Sequence, residues 1–288
     1  MHRGSPFVAS REKGIESIYP TDGDSEMTIL DKIVANRKKE VAEVKKHVSL
    51  EELKKQIPSN RKGNSLKEQL RNPESSGIIA EFKRKSPSKG IINDKVEPEV
   101  VTEGYTAAGA SGISVLTDKT YFGGSLNDFA KAREANPDTP MLRKDFMVDE
   151  YQIYEACVTK ADVILLIAAV LEKEEIEHFT TLAHKLGLEV LLELHAEEEL
   201  QKVDPRVDLI GINNRNLKDF TVDLEHSIRM LEKLPAEAVK VAESGISDPA
   251  TVDYLRESGF HGFLMGENFM KQEHPAEACR EFINQLKR

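Results

Sequence analysis

Apolar residues along this chain follow two alternating patterns. Short, mainly apolar and β-branched runs occur at 78–82, 112–116, 141–144, 163–167, 189–194, 208–212, 239–243 and 261–265. Between and after them, at 96–109, 125–135, 149–159, 171–186, 196–202, 223–233, 248–258 and 275–287, apolar positions recur at helical spacing. The runs predict strands buried on both faces, and the periodic stretches predict amphipathic helices. Strand–helix units repeated eight times predict an α/β fold, a parallel (β/α)8 (TIM) barrel. An open doubly wound sheet is the competing arrangement. It would normally carry a glycine-rich phosphate turn after its first strand, and Lys83 to Ser88 contains no glycine.

Ahead of the first strand the pattern is helical only. From Thr28 onward, Ile29, Leu30, Ile33, Val34, Val41 and Val44 form a one-sided stripe, with Asp31-Lys32 and the block Arg37 to Glu40 on the wet face. Ser49 predicts the cap of a second helix, whose first turn carries Glu51 and Glu52 where they complement the dipole. Pro58 to Gly63 is expected to be a polar loop, and 65–70 a third short helix leading to Pro73. Residues 27–288 are therefore expected to form a single barrel domain, with an N-terminal helical extension at 27–72. Residues 1–26 lack sustained periodicity and are expected to be a disordered extension or an appended remnant. Glu12, Glu16, Asp22, Asp24 and Glu26 make the segment too acidic for a transit peptide.

Composition then removes several function classes. With 39% apolar and 31% charged residues, the chain is expected to be globular, with highly charged helix surfaces. A formal charge of −10 argues against the basic field of a duplex nucleic-acid binder. No apolar run approaches the roughly 18 residues needed to span a bilayer, so no membrane association is expected. Cys157 and Cys279 lack zinc or disulfide spacing and no secretory signal is visible, so the expected compartment is the reduced cytoplasm. No His/Cys/carboxylate set has metal spacing, and no cofactor is expected.

The candidate chemistry lies where the predicted strands end, because that rim carries the active site in this architecture. Strand one ends Glu81-Phe82-Lys83, with Ile79, Glu81 and Lys83 alternating onto one face. Strand three ends Arg143-Lys144-Asp145-Phe146, strand five Glu193-Leu194-His195 and strand six Asn213-Asn214-Arg215. Strand seven ends Glu243-Ser244-Gly245, and strand eight Gly266-Glu267. Charges that follow apolar runs so regularly are hard to explain by stability, since interior charges must be paired or used. For Lys144 the bland alternative is a rim ion pair with Asp145, and for Glu193 a structural pair with a neighbouring lysine. Glu243 and Asn213 could equally be orienting groups. His178, His184 and His195 read as loop or helix-surface histidines with no catalytic role. Glycines after strands seven and eight suit a phosphate held on backbone N–H groups, with Glu267 contributing only its backbone. The expected ligand is a phosphorylated small molecule.

The segments Glu-Phe-Lys-Arg-Lys-Ser-Pro-Ser (81–88), Leu-Arg-Lys-Asp-Phe (142–146), Leu-Leu-Glu-Leu-His (191–195), Gly-Ile-Asn-Asn-Arg-Asn-Leu (211–217) and Val-Ala-Glu-Ser-Gly-Ile (241–246) resemble the indole-3-glycerol phosphate synthase family. The resemblance runs from about Met27 to the C-terminus and includes the helical extension. It implies a cofactor-free carbon–carbon lyase of tryptophan biosynthesis, acting on 1-(2-carboxyphenylamino)-1-deoxyribulose 5-phosphate. Carried onto this chain, it implies that Lys144 protonates the substrate carbonyl and that Glu193 and Lys83 serve the later dehydration. Glu81 would hold the lysines charged and oriented, Asn213 would position the substrate, and Ser244 and Glu243 would complete the polar rim. Ser86, Arg215, Gly245, Gly266 and the Glu267 backbone would bind substrate and phosphate, and Phe122, Phe146 and Leu165 would receive the anthranilate ring. Two departures from some relatives are the lack of Trp and the glutamate at 267, where others carry a small hydroxyl residue. A phosphoribosylanthranilate isomerase would need a cysteine at a strand end, and a barrel that only binds or scaffolds would be expected to lose the rim charges. The expected state is a monomer, with a weak dimer as the alternative.

Overall fold

The computed structural model describes residues 27–59, 63–216 and 221–287. The segment 1–26, part of the expected 58–63 loop and the last residue of the 211–217 motif lie outside the described residues. Eight parallel strands close a barrel in chain order: β1 (Ile78–Phe82), β2 (Gly112–Leu116), β3 (Met141–Lys144), β4 (Val163–Ile167), β5 (Glu189–Leu194), β6 (Leu209–Asn213), β7 (Val239–Glu243) and β8 (Gly262–Met265). Each strand hydrogen-bonds to its neighbours in sequence, and β8 returns to β1 with Ile78 opposite Phe263.

Alternation along the strands sorts the core into two layers. Ile79, Leu142, Val163, Leu165, Leu191, Leu209, Val239, Val241 and Leu264 fill the barrel interior. Their sequence neighbours, such as Ile78, Ala80, Phe82, Ile113, Ile164 and Leu192, pack outward against the helical ring. Mainly apolar runs are what a strand buried on both faces requires. The interior is closed at the N-terminal end by α3 (Leu66–Arg71), whose Leu66 and Leu70 join the inner layer. Glu189, at the start of β5, accepts the backbone N–H groups of Leu66 and Lys67 at 2.9 and 3.1 Å, satisfying donors at that helix's N-terminus.

The extension begins with α1 (Ile29–His47), capped by a reciprocal Thr28–Asp31 box, and α2 (Leu50–Lys55), capped by Ser49 and Glu52. Each box satisfies backbone donors that the first turn leaves without a partner. Along α1 the predicted stripe is only partly a core seam. Ile33 and Val41 are buried, Val44 is 40% exposed, and Ile29 and Leu30 line a cavity at the barrel mouth. Nor does Arg37 belong to the wet face: its Nη2 lies 2.5 Å from the fully buried Asp145 carboxylate.

Three local features differ from the sequence reading. The helical stretch at 196–202 is a 3-10 helix, Glu197–Lys202, with no buried residue to hold a longer α-turn against the barrel. A short hairpin, Lys85–Ser86 with Gly90–Ile91, follows β1 and overhangs the mouth. A four-residue helix, Glu267–Met270, begins directly after β8.

Candidate active site

Alternation at the strand ends builds the site. In β3, Leu142 points inward and Arg143 outward, so Lys144 points inward again. Its ammonium donates to Glu243 Oε2 at 2.7 Å and lies 3.2 Å from Glu193 Oε2. It makes no pair with Asp145, which turns back toward Arg143, Thr117 and Arg37. In place of the alternative rim pair with Asp145, Lys144 is a cation held between two carboxylates from β5 and β7.

Glu193 Oε1 accepts the Asn213 amide at 2.9 Å, and Asn213 Oδ1 accepts the Arg215 backbone N–H at 3.0 Å. In β1, Glu81 is buried and pairs with Lys83 Nζ at 3.0 Å, with Ser114 donating to its other oxygen. Three buried carboxylates thus face two ammonium groups in one cluster. Their ionisation follows from that imbalance. Burial opposes the Lys144 charge, but Glu193, Glu243 and Glu81 outweigh it and hold the amine above its usual value. Burial likewise opposes ionisation of Glu193, yet Lys144, His195 and Asn213 hold its carboxyl well below the ordinary range. Glu243 goes the other way: burial and repulsion from Glu193 push it up to about 7, against the pull of Lys144.

These groups line a cavity of about 440 Å3 at the C-terminal ends of the strands. Phe122 and Phe146 form one wall with ring centroids 5.9 Å apart, and Leu165 continues it from β4. Ser86 reaches the cavity from the hairpin, and Arg215, Ser244, Gly245, Gly266 and Glu267 line it from the segments after β6, β7 and β8. Ser244 and Gly245 are successive left-handed residues, with φ of 67 and 72 degrees. That conformation bends the chain sharply after β7. The Glu267 side chain extends toward Lys89, with 3.8 Å between their charged atoms. Every candidate residue named from the sequence lies on this one cavity.

A family model described as indole-3-glycerol phosphate synthase matches residues 30–282. The chain belongs to that family. The "Indole-3-glycerol phosphate synthase" of Bacteroides thetaiotaomicron is 49% identical over 258 residues, covering 90% of this chain and 98% of that protein. A protein of the same name from Salinibacter ruber is 42% identical, with 88% and 94% covered. Among solved structures, the tryptophan synthase alpha subunit of Legionella pneumophila superposes with a TM-score of 0.56 at 13% identity, covering 76% of this chain and 94% of that one. At that identity the likeness concerns the fold. Among the described residues, no helix is long and apolar enough to cross a membrane. Cys157 and Cys279 are buried in helices, away from the strand ends.

Sequence reasoning missed two contributions to the cavity. Ile29, Leu30 and Ile33 supply an apolar wall from the extension, which a stripe on an isolated helix could not assign to one partner over another. His195 was expected at the surface, yet its side chain is only 8% exposed and its Nε2 lies 2.9 Å from Glu193 Oε1. His178 and His184 are indeed on helix surfaces, beside Glu150 and Asp208. A further requirement concerns Gly211 in β6. A Cβ there would meet Glu243 Oε1 at 2.2 Å, so the absence of a side chain makes room for the buried carboxylate. Gly211→Ala is expected to displace Glu243 from Lys144 and lower kcat by about tenfold or more, as loss of a charged hydrogen bond would. Steady-state kinetics beside an unchanged far-UV spectrum would check this.

Proposed function

We propose that the chain closes the indole ring of 1-(2-carboxyphenylamino)-1-deoxyribulose 5-phosphate, giving indole-3-glycerol phosphate, carbon dioxide and water. The observation that carries the assignment of roles is the Lys144 ammonium, held between Glu193 and Glu243 at the base of a cavity walled by Phe122 and Phe146. When the carboxyl-bearing ring carbon attacks the ketone, negative charge develops on the ketone oxygen. Lys144 is kept charged to donate a proton there. Loss of carbon dioxide returns the electron pair to the ring. Dehydration then needs an acid for the hydroxyl and a base for one proton of the adjacent methylene in the new five-membered ring.

Lys83, paired with Glu81, lies on the same cavity as Glu193, and these residues serve that second stage. Asn213 orients Glu193 and the substrate, while Ser244 and Glu243 complete the polar rim. Ser86, Arg215, Gly245, Gly266 and the backbone of Glu267 bind the glycerol phosphate end, and Phe122, Phe146 and Leu165 the anthranilate ring. None of these steps calls for a metal or redox group. We read residues 27–288 as one domain working as a monomer in the cytoplasm. Fluorescence-monitored formation of indole-3-glycerol phosphate from the synthetic substrate tests the assignment. Turnover by the wild type is expected, and a folded protein without turnover would overturn it.

The elevated Glu243 carboxyl also makes a stability prediction. Its folded pKa, about 7, lies above that of an unfolded carboxyl, so the folded state binds the extra proton between those values. Stability from this group is therefore full below the unfolded pKa and falls as pH rises through about 7, since the slope follows the difference in bound protons. Glu243→Gln is expected to flatten that fall and to stabilise the protein at pH 8, measured by urea unfolding at pH 5 and pH 8.

A further inference from the structure

We propose that His195 is a positioning residue for this reaction, holding the Glu193 carboxylate beside Asn213 so that its other oxygen remains on Lys144. The inference rests on the ring-closing reaction proposed above. It begins from the division of labour on Glu193. Oε2 faces the Lys144 ammonium at 3.2 Å, and Oε1 accepts the Asn213 amide at 2.9 Å. His195 Nε2 stands 2.9 Å from that same Oε1, at ion-pair distance but off the line of a directed hydrogen bond. Glu193 is thus restrained from three directions, by β3, by β6 and by the residue that ends its own strand.

The ring is placed for this from the backbone upward. Leu194 points outward into the helical layer, so the chain beyond β5 turns the next side chain back over the mouth, where it lines the cavity. The His195 backbone N–H donates to Glu199 Oε2 at 2.7 Å, tying that turn to the following 3-10 helix. Both ring nitrogens are shielded from solvent and have no directed hydrogen bond to a described residue. A buried imidazole with a ring nitrogen 2.9 Å from a carboxylate has little reason to remain there as core filling, because an unpaired polar ring is expensive to bury.

The charged groups facing it are Glu193 on its own strand, Glu199 from the 3-10 helix and Glu243 from β7; Lys144 approaches Glu193 at the other oxygen. Burial opposes the ring's charge, but those three carboxylates more than compensate and raise its pKa above the ordinary imidazole value. Its contribution therefore has a definite sign. The cationic ring restrains Glu193 at lower pH, and the restraint weakens as pH rises through the His195 pKa.

The test has a kinetic arm and a spectroscopic one. In His195→Leu, kcat is expected to fall about tenfold or more with KM changed less than about twofold, since an interaction with a charged group is lost and no proposed substrate contact is removed. His195→Gln keeps an N–H beside Glu193 but cannot titrate. It is expected to recover most of the rate while losing the alkaline decline of kcat. Glu243, pushed up to about 7, also titrates, so the His195 ring is followed directly by imidazole NMR in the intact protein. Its pKa is expected above the ordinary value in the wild type and to drop in Glu193→Gln. Unchanged kcat and pH profile in a folded His195→Leu protein, or a His195 titration indifferent to Glu193→Gln, would overturn the proposal. Should His195→Leu not fold, His195→Gln and the NMR titration decide the question. A folded wild type without turnover would instead refute the reaction, which the NMR arm does not depend on.

Discussion

Replacing Lys144 with alanine is expected to lower kcat by about three orders of magnitude or more, because it removes proton donation and charge neutralisation together. Ring closure creates an alkoxide where a ketone stood, and no other described ammonium sits between Glu193 and Glu243. Lys83 cannot easily substitute, since it is engaged with Glu81 at 3.0 Å on the adjacent part of the rim. The substitution also leaves two buried carboxylates facing each other without their cation. One of them will take up a proton near neutral pH, so the residual activity should show a pH dependence different from the wild type's. Fluorescence assays under saturating substrate measure the loss. Retained turnover would move the first protonation to Lys83 and leave Lys144 a structural counter-ion.

The second large effect is on stability, at Asp145. Its side chain is fully buried and receives Arg143 at 2.9 Å, Arg37 at 2.5 Å and the Thr117 hydroxyl at 2.7 Å. Arg143 is itself fully buried and also reaches Glu155 and the Gln152 carbonyl. Asp145→Ala removes the carboxylate shared by two guanidinium groups, leaving Arg143 with Glu155 and Arg37 with Glu40, and breaking a buried pair in this way costs about 3–5 kcal/mol. Urea unfolding of the variant checks that figure, and a loss under about 1 kcal/mol would show that the remaining partners suffice. Burial opposes ionisation here, but Arg143 and Arg37 hold the carboxyl below its ordinary range. The pair's stabilisation is thus present above the unfolded aspartate pKa and is lost as pH falls toward the lower, folded one. Function should change as well. Arg37 anchors the helix that presents Ile29, Leu30 and Ile33 to the cavity, so KM is expected to rise in the same variant.

Most strand boundaries were legible because a strand buried on both faces is mainly apolar, and short runs of that kind have few competing explanations. The interior charges were legible for a related reason. Glu81, Lys144, Glu193 and Glu243 each end an apolar run, where a charge is costly unless paired or used. Less was legible where the pattern fits several structures. The three glutamates of 197–199 suit the first turn of any helix, and the 3-10 form goes with a segment that has no fully buried residue. Arg37 read as solvated because its neighbours are charged, and its partner Asp145 is distant in sequence.

By itself the sequence determined the barrel, the extension before it and the set of residues at the rim. Those follow from rules acting within a few residues: apolar period, helix capping, and alternation along a strand. Only the tertiary structure decided how the charges pair. Lys144 lies beside Asp145 in sequence but between Glu193 and Glu243 in space, because adjacent strand residues face opposite sides and the closed barrel brings β3, β5 and β7 to one opening. His195 is brought beside Glu193 by alternation at the end of one strand, and what the closed barrel adds is its burial, with only 8% of its side chain exposed. Pairing is a matter of distances between strands, and those distances exist only once the barrel has closed.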